Sequence, residues 1–237
     1  MRYPELLKKI VDSKWETTTL FSYAKANPNK NVIAIRHDVD DRIDKARRMA
    51  LLEHDMGVFS TYFLLTTHPY YVDGKFHANY IYQLGHEVGL HLDLATVSAV
   101  GRMNAHKYII ENIMNLGRIG MEIKGVSAHG SELARQMKFK GWEYFYDYAE
   151  REYSIRFEDE KGEFETLTMG VHPLAEYGLT YDAIKLEKPN YISDSHGEIR
   201  INRDLKDPPN TEEELFDFIE NGSGKTIMLF HPQYYEV

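Results

Sequence analysis

Two hydrophobic periods alternate along this chain. Short apolar runs, "NVIAIRH" (31–37), "VFSTYFLLT" (58–66), "HEVGLHL" (86–92) and "EIKGVSAH" (122–129), read as strands. Between them the apolar positions move to helical spacing. In "DRIDKARRMALLEHDM", residues 41–56, Ile43, Ala46, Ala50 and Leu51 follow that spacing, and Gly57 comes next as a stop. "ANYIYQLG" and residues 97–116 read the same way, the second as one helix ending near Gly117. Ahead of this series "PELLKKIVDS" predicts a short amphipathic helix and "KANPNKN" a loop.

The pattern weakens in the second half. Beyond "ELARQMKFKG", the segments "WEYFYDYA", "YSIRFED" and "FETLTM" have no period that separates helical from extended structure. It recovers at "NYISDSHG", at a helix "TEEELFDFIE" with Thr211 as cap and Glu214 three positions on, and at the strand "TIMLFH". Strands alternating with helices imply an α/β fold whose crossovers cover a parallel sheet. No repeat, low-complexity tract or long linker interrupts residues 1–237, so one domain is expected, with residues 1–30 as an N-terminal helical extension.

Composition removes several function classes. With 28 basic and 37 acidic residues the net charge is −9, leaving no cationic surplus to displace counterions from a nucleic acid. The absence of cysteine excludes disulfides and thiol nucleophiles, so any metal must be held by His, Asp or Glu. "MRYPELLKKIVDSKW" carries charges every few residues and reads neither as a signal peptide nor as a membrane span, which makes a cytoplasmic location the expectation. The 17 tyrosines suit both cores and sugar-binding clefts.

The informative polar residues stand where apolar runs stop. "IAIRHDVD", "VGLHLD", "GVSAHG", "YISDSHG" and "IMLFHP" each end in His or Asp on the C-terminal side. In parallel α/β folds that side is the rim where sites are built. A simpler reading competes at the first run, with Asp40 or Asp41 as N-cap of the next helix. At "GHEVGLHLD" His86 and His91 would, on the same logic, only satisfy backbone groups, and for His86 that reading is preferred. Period-two alternation places Asp38 and Asp40 on one side of an extended strand and His37 and Val39 on the other. Two adjacent carboxylates repel, and a cation relieves the repulsion. A carboxylate with one or two imidazoles suits a borderline cation such as Zn²⁺, which leaves the second carboxylate to accept a proton.

Taken in order, "RHDVDD", "STYFLL", "LGHEVGLHLDL", "YISDSHG" and "LFHP" resemble the polysaccharide deacetylase (NodB-homology, carbohydrate esterase family 4) superfamily, in its R-H-D-V-D branch, over residues 32–232. The resemblance implies a distorted (β/α)7 barrel and metal-dependent removal of acetyl groups from N- or O-acetylated carbohydrates. It further implies Asp38 as general base, Asp40 and His91 as metal ligands, His231 as general acid and Asp194 as its supporting carboxylate. Two positions depart from the family. Ala95 stands where a second ligand histidine is expected, so His129, or alternatively Asp93, is assigned as third ligand. His129 also falls where the third motif supplies an arginine to orient the base, and Arg135 lies too far along to replace it. Beside deacetylation, two readings stay open: hydrolysis of a non-sugar amide or ureide C–N bond, and a carbohydrate-binding protein without turnover.

Overall fold

The structure is a computed structural model that describes residues 2–27, 30–158, 161–162 and 164–237. Pro28 and Asn29 in the expected loop, and Asp159 at the end of "YSIRFED", lie outside the described residues. In chain order the first elements are α1 (Tyr3–Val11), β1 (Glu16–Thr18), α2 (Leu20–Lys25), β2 (Val32–Val39), α3 (Ile43–Asp55), β3 (Thr61–Leu65) and α4 (Gly74–Gln83). Next come β4 (Glu87–Leu92), α5 (Leu94–Ala99), α6 (Ala105–Gly117), β5 (Gly125–Ala128), α7 (Glu132–Gln136), β6 (Tyr153–Glu158) and β7 (Phe164–Met169). The last are β8 (Tyr181–Asp182), β9 (Asn190–Ser193), β10 (Arg200–Ile201), α8 (Glu212–Asn221) and β11 (Lys225–Phe230). The class is α/β with parallel strands and crossover helices, consistent with a distorted (β/α) barrel.

The chain forms two compact units, one of residues 1–64, 76–88 and 187–237, the other of residues 65–75 and 89–186. In the first, β2 lies between β11 and β3, both parallel to it, and β9 lies parallel beyond β11. Every residue of β2 is buried, because helices cover the faces of a parallel sheet. Tyr3, Leu6, Leu7 and Ile10 of α1 join Ile33, Ile35, Met228, Phe230, Leu215 and Ile219 in one apolar cluster. The capping box expected at Thr211 is present, with the Glu214 N–H donating to Oγ1 of Thr211 and the Thr211 N–H donating to Glu214 at 2.7 Å. Thr211→Ala is accordingly expected to cost about 1 kcal/mol in urea unfolding; no measurable loss would mean α8 owes its stability to Leu215 and Ile219 alone.

The second unit has the C-terminal part of β4 paired in parallel with β5, and β5 with β8. A Cβ on Gly125 would sit 2.1 Å from the Tyr181 ring, so the β5–β8 approach requires glycine there. "YSIRFED" and "FETLTM" are the antiparallel hairpin β6–β7.

Three expectations are corrected. Residues 97–116 are not one helix: Asp93 caps α5, Asn104 caps α6 by accepting from the Lys107 N–H, and Arg102 between them is left-handed at φ 50°. The N-cap of α3 is Arg42, in the left-handed region at φ 52°, rather than Asp40 or Asp41. β2 continues through Val39, so Asp38 belongs to the strand and Asp40 follows its last residue. The remaining helix and strand assignments agree with the hydrophobic periods to within a few residues at the ends.

Candidate active site

Strand geometry builds an acidic cluster in the first unit. Residues 36, 38 and 40 alternate to one side of β2, and the guanidinium of Arg36 grips the carboxylate of Asp38 in a two-point bond, Nε to Oδ1 at 2.8 Å and a terminal nitrogen to Oδ2 at 2.6 Å. Both side chains are almost wholly buried, at 3% and 5% exposure. A buried carboxylate is tolerable only when paired, and Arg36 supplies the pairing and fixes the carboxylate plane. The sequence reading assigned Arg36 no role; it sits in the quoted "RHDVDD", and period-two spacing, which puts it on the side of Asp38, is the signal that could have marked it.

The register between β11 and β2 puts Phe230 opposite His37, which brings His231 to the same strand end. Asp194, just past β9, holds His231 twice: the imidazole Nδ1–H donates to one carboxylate oxygen at 2.5 Å and the backbone N–H to the other at 2.7 Å. Nε2 of His231 then lies 3.7 Å from Asp40. Burial by itself would lower the His231 pKa, but the hydrogen bond and charge of Asp194, aided by Asp38 and Asp40, outweigh it and raise the pKa above the usual imidazole value. Asp38, Asp40, Asp194 and His231 are thus together in one unit, with a buried carboxylate and an imidazole whose protonated form is favoured on neighbouring strands.

His37 points the other way, as alternation requires. Its Nε2–H donates to the buried Glu53 of α3 at 2.7 Å, and its ring stacks on Tyr62 at 4.3 Å between centroids. Glu53 also accepts from the hydroxyls of Tyr3 and Tyr62. His86 accepts at Nδ1 from the Ser60 N–H at 3.1 Å and donates from Nε2 to the Ala50 carbonyl at 2.8 Å, the backbone role preferred for it.

The second unit holds a cluster of imidazoles. His91, near the end of β4, donates from Nδ1 to the Ser127 carbonyl at 3.0 Å, a tautomer that puts the lone pair on Nε2. His129 follows β5, with its ring 5.0 Å from that of His91. Asp93 stands 3.6 Å from Nδ1 of His129, and it also accepts from the Thr96 N–H and the Ser131 hydroxyl. Burial would raise the Asp93 pKa, but the bonds from His129 and Thr96 outweigh it and hold the carboxyl below its usual range. Asp93 therefore acts as a cap and as a carboxylate behind His129. Ala95 is wholly buried within α5. In donor chemistry the residues fit a divalent cation: imidazoles with Nδ1 facing oxygen acceptors, and carboxylates to balance the charge.

No family model and no curated protein matches the chain. Solved structures do. A CE4 family pseudoenzyme from Bacillus anthracis aligns at TM-score 0.45 and 11% identity, covering 87% of this chain and 56% of that one. The catalytic domain of a peptidoglycan N-acetylglucosamine deacetylase from Eubacterium rectale aligns at TM-score 0.42 and 14% identity, covering 88% and 79%.

Proposed function

We propose that residues 1–237 act as one metal-dependent hydrolase domain that removes an acetyl group from an N- or O-acetylated carbohydrate. The observation that carries this reading is the pair on adjacent strands of the first unit: a carboxylate, Asp38, locked by Arg36, and an imidazole, His231, whose protonated form is favoured by Asp194. Asp38 accepts a proton from the attacking water, and Arg36 keeps its carboxylate oriented. His231 donates a proton to the departing amine or alkoxide, with Asp194 fixing its ring. Asp40, His91 and His129 are the proposed ligands of a divalent ion, zinc by donor type; when bound, the ion supplies Lewis-acid polarisation of the scissile carbonyl.

The test combines metal analysis with acetate release from acetylated amino sugars. The expected result is turnover that chelation abolishes, and loss of both metal and turnover in His91→Ala. Ala95 favours a second reading, a carbohydrate-binding protein without turnover. Sugar binding with no acetate release and no metal lost on substituting His91 would establish that one. Turnover confined to a panel of small non-sugar amides and ureides would redirect the substrate assignment.

A further inference from the structure

His106, His172 and Glu176 of the second unit form a cluster that the proposed hydrolytic chemistry does not use. The rings of His106 and His172 are stacked at 4.1 Å between centroids with 22° between their planes. Nδ1 of His172 is 3.0 Å from one oxygen of Glu176, and Nε2 of His106 is 3.7 Å from the other. One donor atom from each of the three lies within 4.8 Å of the other two. A tetrahedral ion with ligand distances of about 2.1 Å separates its ligands by about 3.4 Å, so these two pairs bracket the spacing such an ion requires.

The surroundings orient the donors. His106 is the second residue of α6, and its Nδ1 bonds to the Tyr177 hydroxyl at 2.8 Å, which in turn meets the Tyr144 hydroxyl at 3.1 Å. The Tyr177 hydroxyl oxygen can accept a hydrogen bond from the Nδ1–H of His106, and the imidazole lone pair is then on Nε2, facing Glu176. His172 precedes, and Glu176 lies within, the 3-10 turn Leu174–Tyr177, which Pro173 caps and left-handed Gly178 closes, and Asp147 anchors this turn by accepting from the Leu174 N–H at 2.7 Å. Stacked imidazoles repel each other when both are protonated, whereas neutral rings sharing a cation with a carboxylate do not.

We propose that His106, His172 and Glu176 are a second divalent-cation site, of zinc-binding chemistry, that ties the start of α6 to the turn at residues 174–177. Its residues differ from those of the proposed catalytic centre, so the two can be separated. The full-length protein is stripped with chelator and titrated with Zn²⁺ alone, following bound equivalents, and with Co²⁺, following its visible absorption. His172→Ala is expected to lose one equivalent and part of the zinc-induced rise in melting temperature, while His91→Ala retains that equivalent. Tyr177→Phe, which keeps the ring but removes the acceptor for His106, is expected to weaken this site about 10- to 100-fold. The proposal is overturned if stoichiometry and thermal shift are the same in His172→Ala as in the parent, or if zinc binds so weakly that Glu176→Gln leaves the titration unaltered. Loss of metal from His91→Ala alone would leave the catalytic reading standing and remove this one.

Discussion

Glu53→Ala is expected to cost the protein about 3–5 kcal/mol of folding stability, the usual penalty for breaking a buried charge-bearing network from one side. Glu53 has no exposed surface and accepts from His37, Tyr3 and Tyr62, so the truncation leaves three buried donors without their acceptor as well as a cavity. These donors come from α1, β2 and β3, so one side chain on α3 ties three other elements together. Urea unfolding measures the loss. A change below about 1 kcal/mol would show that water takes over the role of the carboxylate, and the network would then be dispensable.

The same network sets an acid limit on stability. Burial would raise the Glu53 pKa, but the charge and hydrogen bond of His37, with His86 and Tyr3, more than compensate and depress it. Burial depresses the pKa of His86 as well. For both groups the unfolded chain binds protons more readily than the folded one, so stability is fully present above the unfolded pKa values, about 6.5 for His and 4.3 for Glu, and falls as pH drops through the lower folded values. Glu53→Gln should flatten the carboxylate part of that acid limb. An unchanged pH profile in this variant would remove Glu53 from the explanation.

Asp38→Asn is expected to lower turnover roughly 10²- to 10⁴-fold while leaving the metal content near that of the parent, since the proposal gives Asp38 a proton to move and assigns the ion to other residues. Because the amide cannot balance Arg36, some stability is lost as well, and near-ultraviolet circular dichroism separates inactivity from unfolding. An undiminished rate in folded Asp38→Asn would sink the general-base role. Loss of metal in step with activity would transfer Asp38 to the ligand set.

How far the site could be read in advance differs from residue to residue. Asp38, Asp40, Asp194 and His231 were marked because each ends or follows an apolar run, and parallel strands deliver such ends to the same edge. Arg36 was visible but unassigned, since the family resemblance expects an arginine on another strand, whereas strand alternation places Arg36 beside Asp38, two residues on. Residues 97–116 misled because their apolar spacing continues across a break set by Asn104 and Arg102, and capping and a left-handed residue leave little trace in periodicity. The Glu53 network left none, because a charged residue within a helix ordinarily faces solvent.

By itself the sequence determined the alternation of strands and helices over most of residues 31–129 and 211–231, the α/β class and the strand ends that carry ionisable groups, since period and termination signals are local. Only the tertiary structure decided which distant ionisable groups meet: His231 with Asp194, His37 with Glu53, His106 with His172 and Glu176. Those pairings arise from register and crossover geometry between segments distant in the chain, where the low dielectric of a packed interior makes each one matter and no local pattern encodes it.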